Sequence, residues 1–331
     1  MPTDLHHRTV DLAGVRMHLV EQGDGPVVLL VHGFPESWYS WRHQLPALAA
    51  AGYRVVAIDV RGYGRSSAPH EVAEYGILAH VADNLGVVAG LGVDHAIIVG
   101  HDWGSPIAAA SALLRPDVFR AVALLSVPYN PPGGRRPTET FARMGGDEEF
   151  YINYFQAPGR AEAEIETDVR SWLAGFYVAA SGDAIAPSDG GTMASIPPGG
   201  QLRDRLVVPE KLPGWLTDDD LDFYVGEFER TGFRGPLNRY RNVDRDWVDL
   251  RPWNGQPITV PSLFIGGQYD GPTRWGQAAI GRYRDTLPGL VESHILDGCG
   301  HWVQQERAFD VNRLLVSWLG VIDPAHDGLA A

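Results

Sequence analysis

The chain has 331 residues, 44% of them hydrophobic, and a net charge of −14 at pH 7. That length exceeds the ~100–200 residues of a common domain and fits one large α/β domain carrying an insertion. The acidic balance argues against nucleic acid or an anionic membrane as a partner, because like charges repel.

The single cysteine, Cys299, can form neither an intramolecular disulfide nor a thiolate zinc site. No apolar run reaches the ~18 residues that a membrane helix needs. The N-terminus, Met1-Pro2-Thr3-Asp4-Leu5-His6-His7, has no basic stretch followed by an apolar one. No signal peptide is therefore expected, and the expected location is cytoplasmic.

Thr9–Leu12 and Arg16–Val20 flank Ala13-Gly14 and predict a hairpin. The continuous apolar run Val27–Val31 predicts a strand buried on both faces. Trp38, Trp41, Leu45 and Leu48 recur at helical spacing, with Gly52 as a stop. Arg54–Asp59 predicts a strand, Ile77–Leu91 a helix and Ala96–Val99 another buried strand. Gly104–Leu114 predicts a helix, with Pro106 in its first turn, and Ala121–Ser126 a strand. Alternation of this kind predicts a mostly parallel sheet with helices on both faces.

The pattern breaks at Pro128-Tyr129-Asn130-Pro131-Pro132-Gly133-Gly134. The next stretch is mainly helical in pattern and includes a Gly-, Pro-, Ser- and Ala-rich tract, Ser181 to Gln201, expected to be a mobile or lid-like loop. After Pro252 and Pro257 the alternation resumes, with strand Ser262–Gly266, helix Arg274–Arg284, strand Val291–Leu296 and helix Ala308–Leu319. The expected organisation is an α/β core of residues 1–128 and 252–331, interrupted by a mainly helical cap of residues 129–251.

Gly100-His101-Asp102-Trp103-Gly104 follows a buried strand and opens a helix, the setting of a nucleophile elbow with Asp at its centre. Read alone, Asp102 could equally be a helix N-cap. His32-Gly33-Phe34-Pro35 follows the strand Val27–Val31, where an oxyanion-hole loop belongs. Its backbone donors would be the N–H groups of Phe34 and Trp103. His301, in Gly298-Cys299-Gly300-His301-Trp302, follows the last strand as a candidate base. Asp270 ends the strand Ser262–Gly266 as the carboxylate that would orient it. The order Asp102, Asp270, His301 is nucleophile, acid, histidine, the order of the α/β-hydrolase fold.

On these residues the chain resembles the soluble epoxide hydrolases of the α/β-hydrolase fold, and the resemblance spans nearly its whole length. The motifs that carry it are His32–Glu36, Trp41–Gln44, Asp59–Ser67, Gly100–Gly104, Tyr151–Gly159, Gly232–Asn242 and Gly300–Gln304. Gly100–Gly104 is shared with dehalogenases, so the two motifs within 129–251 make the resemblance specific. It implies that Tyr151 and Tyr240 project from the cap toward Asp102. From the residues alone, Tyr154, Tyr177 and Tyr224 are equal candidates. It further implies a substrate pocket of Phe34, Pro35, Trp103, Ile152, Phe155 and Trp302. Many relatives have Gln where this chain has Ile152 and Trp where it has Arg239, departures expected to alter pocket shape.

An aspartate nucleophile is already ionised at pH 7 and attacks saturated carbon, leaving an alkyl ester. The histidine is then free to activate a water that hydrolyses the ester. An opening epoxide leaves as an alkoxide and needs a proton donor, a role suited to tyrosine. The expected reaction is epoxide to vicinal diol, with a small-molecule epoxide and water as partners and with no metal and no cofactor. The alternative is a haloalkane or haloacetate dehalogenase using the same Asp102, His301 and Asp270; a non-catalytic binder on the same fold is a third class. Cys299 is expected to be a packing residue and Asp218-Asp219-Asp220 an acidic first helical turn. No motif speaks to assembly, and a homodimer is the expectation to be tested.

Overall fold

The computed structural model describes residues 5–184 and 192–323. Strands form where aliphatic and β-branched residues concentrate. They are β1 (His6–Leu12), β2 (Val15–Gln22), β3 (Val27–Val31), β4 (Arg54–Ile58), β5 (Ala96–His101), β6 (Phe119–Leu125), β7 (Ser262–Gly267) and β8 (Leu290–Leu296). They make one eight-stranded sheet in the order β1-β2-β4-β3-β5-β6-β7-β8. The hairpin β1–β2 and the pair β2–β4 are antiparallel, and every other pair is parallel.

Side chains alternate across the sheet, as a period of two requires. Val27, Leu29 and Val31 of β3 enter one apolar layer, while Val28 and Leu30 enter the other. Helices Ile77–Gly90 and Gly104–Leu114 cover the first layer, through Ile77, Val81, Val87 and Ile107. Helices Gln44–Ala50 and Ala308–Ile322 cover the second, through Leu45, Leu48, Leu315 and Trp318. The strands β3 and β5 thus lie at the sheet's centre with all their residues buried.

Between β6 and β7 no described residue joins this sheet. The segment is helical, with its longest helices at Val169–Ala180 and Asp218–Thr231. The Thr217 hydroxyl accepts from the Asp220 N–H, and the Asp220 carboxylate accepts from the Thr217 N–H. This reciprocal cap fixes where the second of these helices begins. The helical insertion shares the first apolar layer, through Phe150, Trp172, Phe233 and Tyr240 among others.

Two expectations need correction. The single helix expected over Arg274–Arg284 is three short helices, Gly271–Trp275, Gln277–Ile280 and Tyr283–Thr286. Gly276 and Gly281 lie at the breaks, where their low helix propensity lets the chain turn. The tract Ser181–Gln201 is also more structured than a loop. Ser195–Ile196 pairs antiparallel with Glu149–Phe150, although residues 185–191 of the tract lie outside the described residues. Among the described residues no helix is long and apolar enough to cross a membrane.

Candidate active site

The strand β5 delivers Asp102 at its C-terminal end. Asp102 has φ 51°, in the left-handed region that non-glycine residues seldom enter. The turn closes only because the next helix approaches β3 very closely. A Cβ on Gly104 would lie 1.9 Å from the carbonyl oxygen of Val31. The same closeness explains Gly33: a Cβ there would lie 2.2 Å from Asp102 Oδ1. With that space free, the Phe34 N–H donates to Asp102 Oδ1 at 2.7 Å. Trp103 caps the helix Gly104–Leu114 with helical backbone angles.

His301 lies between two carboxylates. Its Nε2 is 3.3 Å from Asp102 Oδ2, and its Nδ1 is 2.8 Å from Asp270 Oδ1. Burial opposes a charge on His301. The Asp270 charge and then the hydrogen bond to Asp102 outweigh it and hold the imidazole well above its usual value. Asp270 is fully buried; His301 and donors from Thr273 and Ser126 keep its carboxyl below the usual range against that burial.

Sequence reasoning missed the groups that hold this set. The Ser126 hydroxyl donates to Asp270 Oδ2 at 2.8 Å and lies 2.9 Å from His301 Nδ1. Thr273 contributes its N–H at 3.1 Å and its hydroxyl at 2.6 Å to the same Asp270 oxygen. Behind Asp102, His101 points both ring nitrogens at acceptors, Glu36 Oε2 and the carbonyl oxygen of His301, each at 2.8 Å. The Glu36 carboxylate also receives the Gln304 and Gln305 amides at 2.9 and 3.0 Å. The Glu36 end of the first motif was legible, but its side-chain partners His101, Gln304 and Gln305 lie 65, 268 and 269 residues away along the chain.

Asp102, Asp270 and His301 open into a cavity of about 950 Å³, which Tyr151 and Tyr240 also line. The two tyrosine rings lie 6.2 Å apart, and Phe34 packs edge-on against Tyr240. Burial, then the Asp102 charge in both cases among other nearby groups, pushes both phenols far above their usual value, so both stay protonated. The other candidate tyrosines are committed elsewhere. Tyr154 donates to Glu164 at 2.5 Å, Tyr177 to the Pro35 carbonyl at 2.5 Å and Tyr224 to Gln305 at 3.2 Å.

Of the expected pocket residues, only Phe34 lines this cavity. Pro35, Ile152, Phe155 and Trp302 do not line it; Phe155 packs on the lining residues Phe34 and Tyr240, and the Trp302 indole N–H donates to the Tyr177 carbonyl at 2.7 Å. Trp103 lines a separate, mostly apolar cavity of about 350 Å³. Its ring is held there by the Arg239 guanidinium, 4.7 Å from the ring centre. The main cavity is walled instead by residues such as Phe176, Met193 and Phe150, which periodicity alone marks only as core. Cys299 is fully buried and burial raises its thiol, consistent with packing rather than reactivity.

Residues 26–308 match the family model described as the alpha/beta hydrolase fold. Epoxide hydrolase B of Mycobacterium tuberculosis is 44% identical, over 96% of this chain and 99% of that protein. An epoxide hydrolase from an endophytic Streptomyces superposes with a TM-score of 0.93 at 66% identity, covering 96% of each chain. Epoxide Hydrolase A from Mycobacterium thermoresistibile superposes with a TM-score of 0.89 at 44% identity, over 96% of this chain and 98% of that one. The sheet order, the elbow and these likenesses agree: the chain belongs to the α/β-hydrolase fold family and, within it, to the epoxide hydrolases.

Proposed function

We propose that the protein opens epoxides to vicinal diols through a covalent ester on Asp102. The observation that carries this reading is the sharing of one cavity by Asp102, His301, Tyr151 and Tyr240. Asp102 Oδ1 is occupied by the Phe34 N–H, so Oδ2 is the attacking oxygen. It forms a bond to one epoxide carbon while that carbon's bond to the ring oxygen breaks. The electron pair goes to the ring oxygen, which takes its proton from the tyrosine pair. Oδ1 is then the ester carbonyl oxygen, already seated on an oxyanion donor. His301 removes a proton from water, and the hydroxide adds to Asp102 Cγ. The N–H groups of Phe34 and Trp103 stabilise the oxyanion, a contribution of about 10²–10³ in rate per donor in comparable sites. Collapse breaks the bond between Cγ and the ester oxygen; that oxygen takes the proton held by His301, and the proton of the Cγ hydroxyl returns through solvent to the phenol that gave one up, so the diol leaves and the carboxylate, imidazole and tyrosine are restored. Asp270 holds His301 in the tautomer that this requires.

The cap of residues 129–251 over a core of 1–128 and 252–331 belongs to the same proposal. The fact supporting it is that no described residue between β6 and β7 enters the main sheet. Light scattering would test the homodimer expectation and cell fractionation the cytoplasmic one.

The test is diol formation from aryl and alkyl epoxides, with halide release measured in parallel. Asp102→Ala is expected to abolish the diol. His301→Gln is expected to trap the ester, adding one substrate mass to the intact protein. Tyr151→Phe and Tyr240→Phe are each expected to slow single-turnover alkylation by about 10²-fold or more, the scale of a lost proton donor. Halide without diol would overturn the reading in favour of a dehalogenase, and normal alkylation in the double tyrosine variant would sink the assigned leaving-group chemistry.

A further inference from the structure

His301 sits in Gly298-Cys299-Gly300-His301-Trp302, a loop whose glycines leave the backbone free to move. A general base must nevertheless stand at a fixed distance from the water it activates. Asp270 orients the ring, and the main chain needs a hold of its own. The His301 N–H donates to the Ala180 carbonyl at 2.8 Å, at the end of the helix Val169–Ala180. On either side, the Gly300 N–H donates to Glu306 Oε2 at 2.8 Å and the Trp302 N–H to Glu306 Oε1 at 2.9 Å. Oε2 takes a third N–H, that of Gly182, also at 2.8 Å.

Three consecutive N–H groups of the base loop thus end on the insertion, or on the one carboxylate that also holds the insertion. The two backbones are in close contact. A Cβ on Gly300 would lie 2.2 Å from the Ser181 carbonyl carbon, and one on Gly182 would lie 2.3 Å from the Gly298 carbonyl oxygen. A carboxylate, with two oxygens that only accept, can meet three converging N–H groups at such a seam. Every partner of the Glu306 carboxylate among the described residues is a backbone N–H, and the neighbouring Arg307 donates instead to the Asp297 carbonyl at 2.9 Å. Burial raises the Glu306 carboxyl above its usual value, while the three N–H bonds and then the His301 charge oppose that rise.

We propose that Glu306 is a positioning residue for the second half of the reaction. It seats the base loop on the end of the helix Val169–Ala180 and so fixes where His301 Nε2 stands relative to Asp102 Cγ. This rests on the epoxide-opening reading, in which that nitrogen activates the water that cleaves the ester. Asp102 is delivered by β5 and attacks without a base, so alkylation does not depend on the clamp. Ala179, Ala180, Ser181 and Gly182 line the main cavity, so the base is seated on the cavity's own wall.

The experiment follows both half-reactions in single turnover for wild type, Glu306→Gln and Gly182→Ala. Gln keeps the shape of Glu306 but turns one oxygen into an amide donor that faces an N–H. Ala at 182 drives a Cβ into the Gly298 carbonyl and loosens the same seam from the other side. Each variant is expected to slow ester hydrolysis by about ten- to hundredfold, the scale of a displaced catalytic group, and to change alkylation by less than about twofold. The ester then accumulates during turnover, seen as added mass, and kcat and KM fall together. A merely structural loss would deplete active protein and lower kcat at constant KM. Equal slowing of both steps, or of neither, overturns the assignment. If Glu306→Gln does not fold, Gly182→Ala carries the same test. Hydrogen exchange reads the clamp without turnover: the Gly300, His301 and Trp302 amides are expected to exchange at least about tenfold faster in Glu306→Gln. If His301→Gln trapped no ester in an enzyme that makes diol, the covalent reading would fail. Faster exchange with slower diol formation in Glu306→Gln would then still support Glu306 as the residue that positions His301, and unchanged exchange or unchanged diol formation would refute it.

Discussion

His301 lies between two carboxylates, and in the proposed mechanism only one of them survives the first chemical step. In the free enzyme Asp270 and Asp102 together outweigh burial and raise the imidazole. In the proposed mechanism alkylation would turn Asp102 into a neutral ester and remove its share, while Asp270 remains. His301 must therefore titrate lower in the ester intermediate than in the free protein, and its basic form appears when water has to be deprotonated. The expected outcome is a single-turnover ester hydrolysis rate that rises with pH through a lower midpoint than the His301 imidazole shows by NMR in the free enzyme. An equal or higher midpoint would contradict the coupling. Asp102, His301 and Asp270 were legible because each sits in a local strand-end motif. Ser126 and Thr273 were not, since a hydroxyl that reaches Asp270 across 144 residues of chain leaves no spacing to read. Tyr151 and Tyr240 came only from family resemblance, as buried tyrosines look alike until their hydroxyl partners are known.

Among the elements, the helix Arg234–Tyr240 does the most joining. Its Arg239 packs on the Trp103 ring beside the elbow and donates to the Tyr75 carbonyl at 2.9 Å. It also pairs with Asp246, whose other oxygen accepts the Ile77 N–H at the start of the helix Ile77–Gly90, at 2.7 Å. One buried ion pair thus links the insertion, a core helix and the residue after Asp102, and Tyr240 is its chain neighbour. Arg239→Met removes one partner and leaves the Asp246 charge poorly compensated, which in buried pairs costs about 3–5 kcal/mol. The expected result is a lower Tm together with slower alkylation, as Trp103 and Tyr240 lose their brace, and partial recovery of both in Arg239→Lys. A lower Tm with unchanged alkylation would confine Arg239 to stability. At this scale the sheet strands were legible to within two residues, except that the polar, exposed start of β1 lies three residues before the expected one; fully buried parallel strands read as apolar runs. The short helices of Gly271–Thr286 were not, because hydrophobic spacing persists across a break that two glycines make.

For the molecule as a whole, the insertion and the sheet share one apolar layer. Polar ties cross the same seam. The Asp220 carboxylate meets the Arg42 guanidinium and the Tyr39 hydroxyl, each at 3.0 Å, and the Tyr177 hydroxyl reaches the Pro35 carbonyl. An insertion joined this way shares its core with the sheet, so heat should unfold both in a single transition. The pH limits of that transition are set by the buried charges. Burial works against ionisation of Glu36, Asp59 and Asp270, yet His101, His18 and His301 respectively hold each carboxyl below its usual value. Carboxyls lowered on folding contribute stability that is present above about pH 4 and is lost as pH falls through their depressed native values. His301, raised on folding, contributes stability that is full below about pH 6.5 and is lost as pH rises through its elevated native value. Tm should therefore peak between these limits and decline on both sides. In Asp270→Asn the imidazole loses its chief partner, and the alkaline decline attributable to His301 should flatten. Calorimetric scans across pH would check both points: two resolved transitions would mean a cap that folds by itself, and an unchanged alkaline limb in Asp270→Asn would place that loss of stability elsewhere.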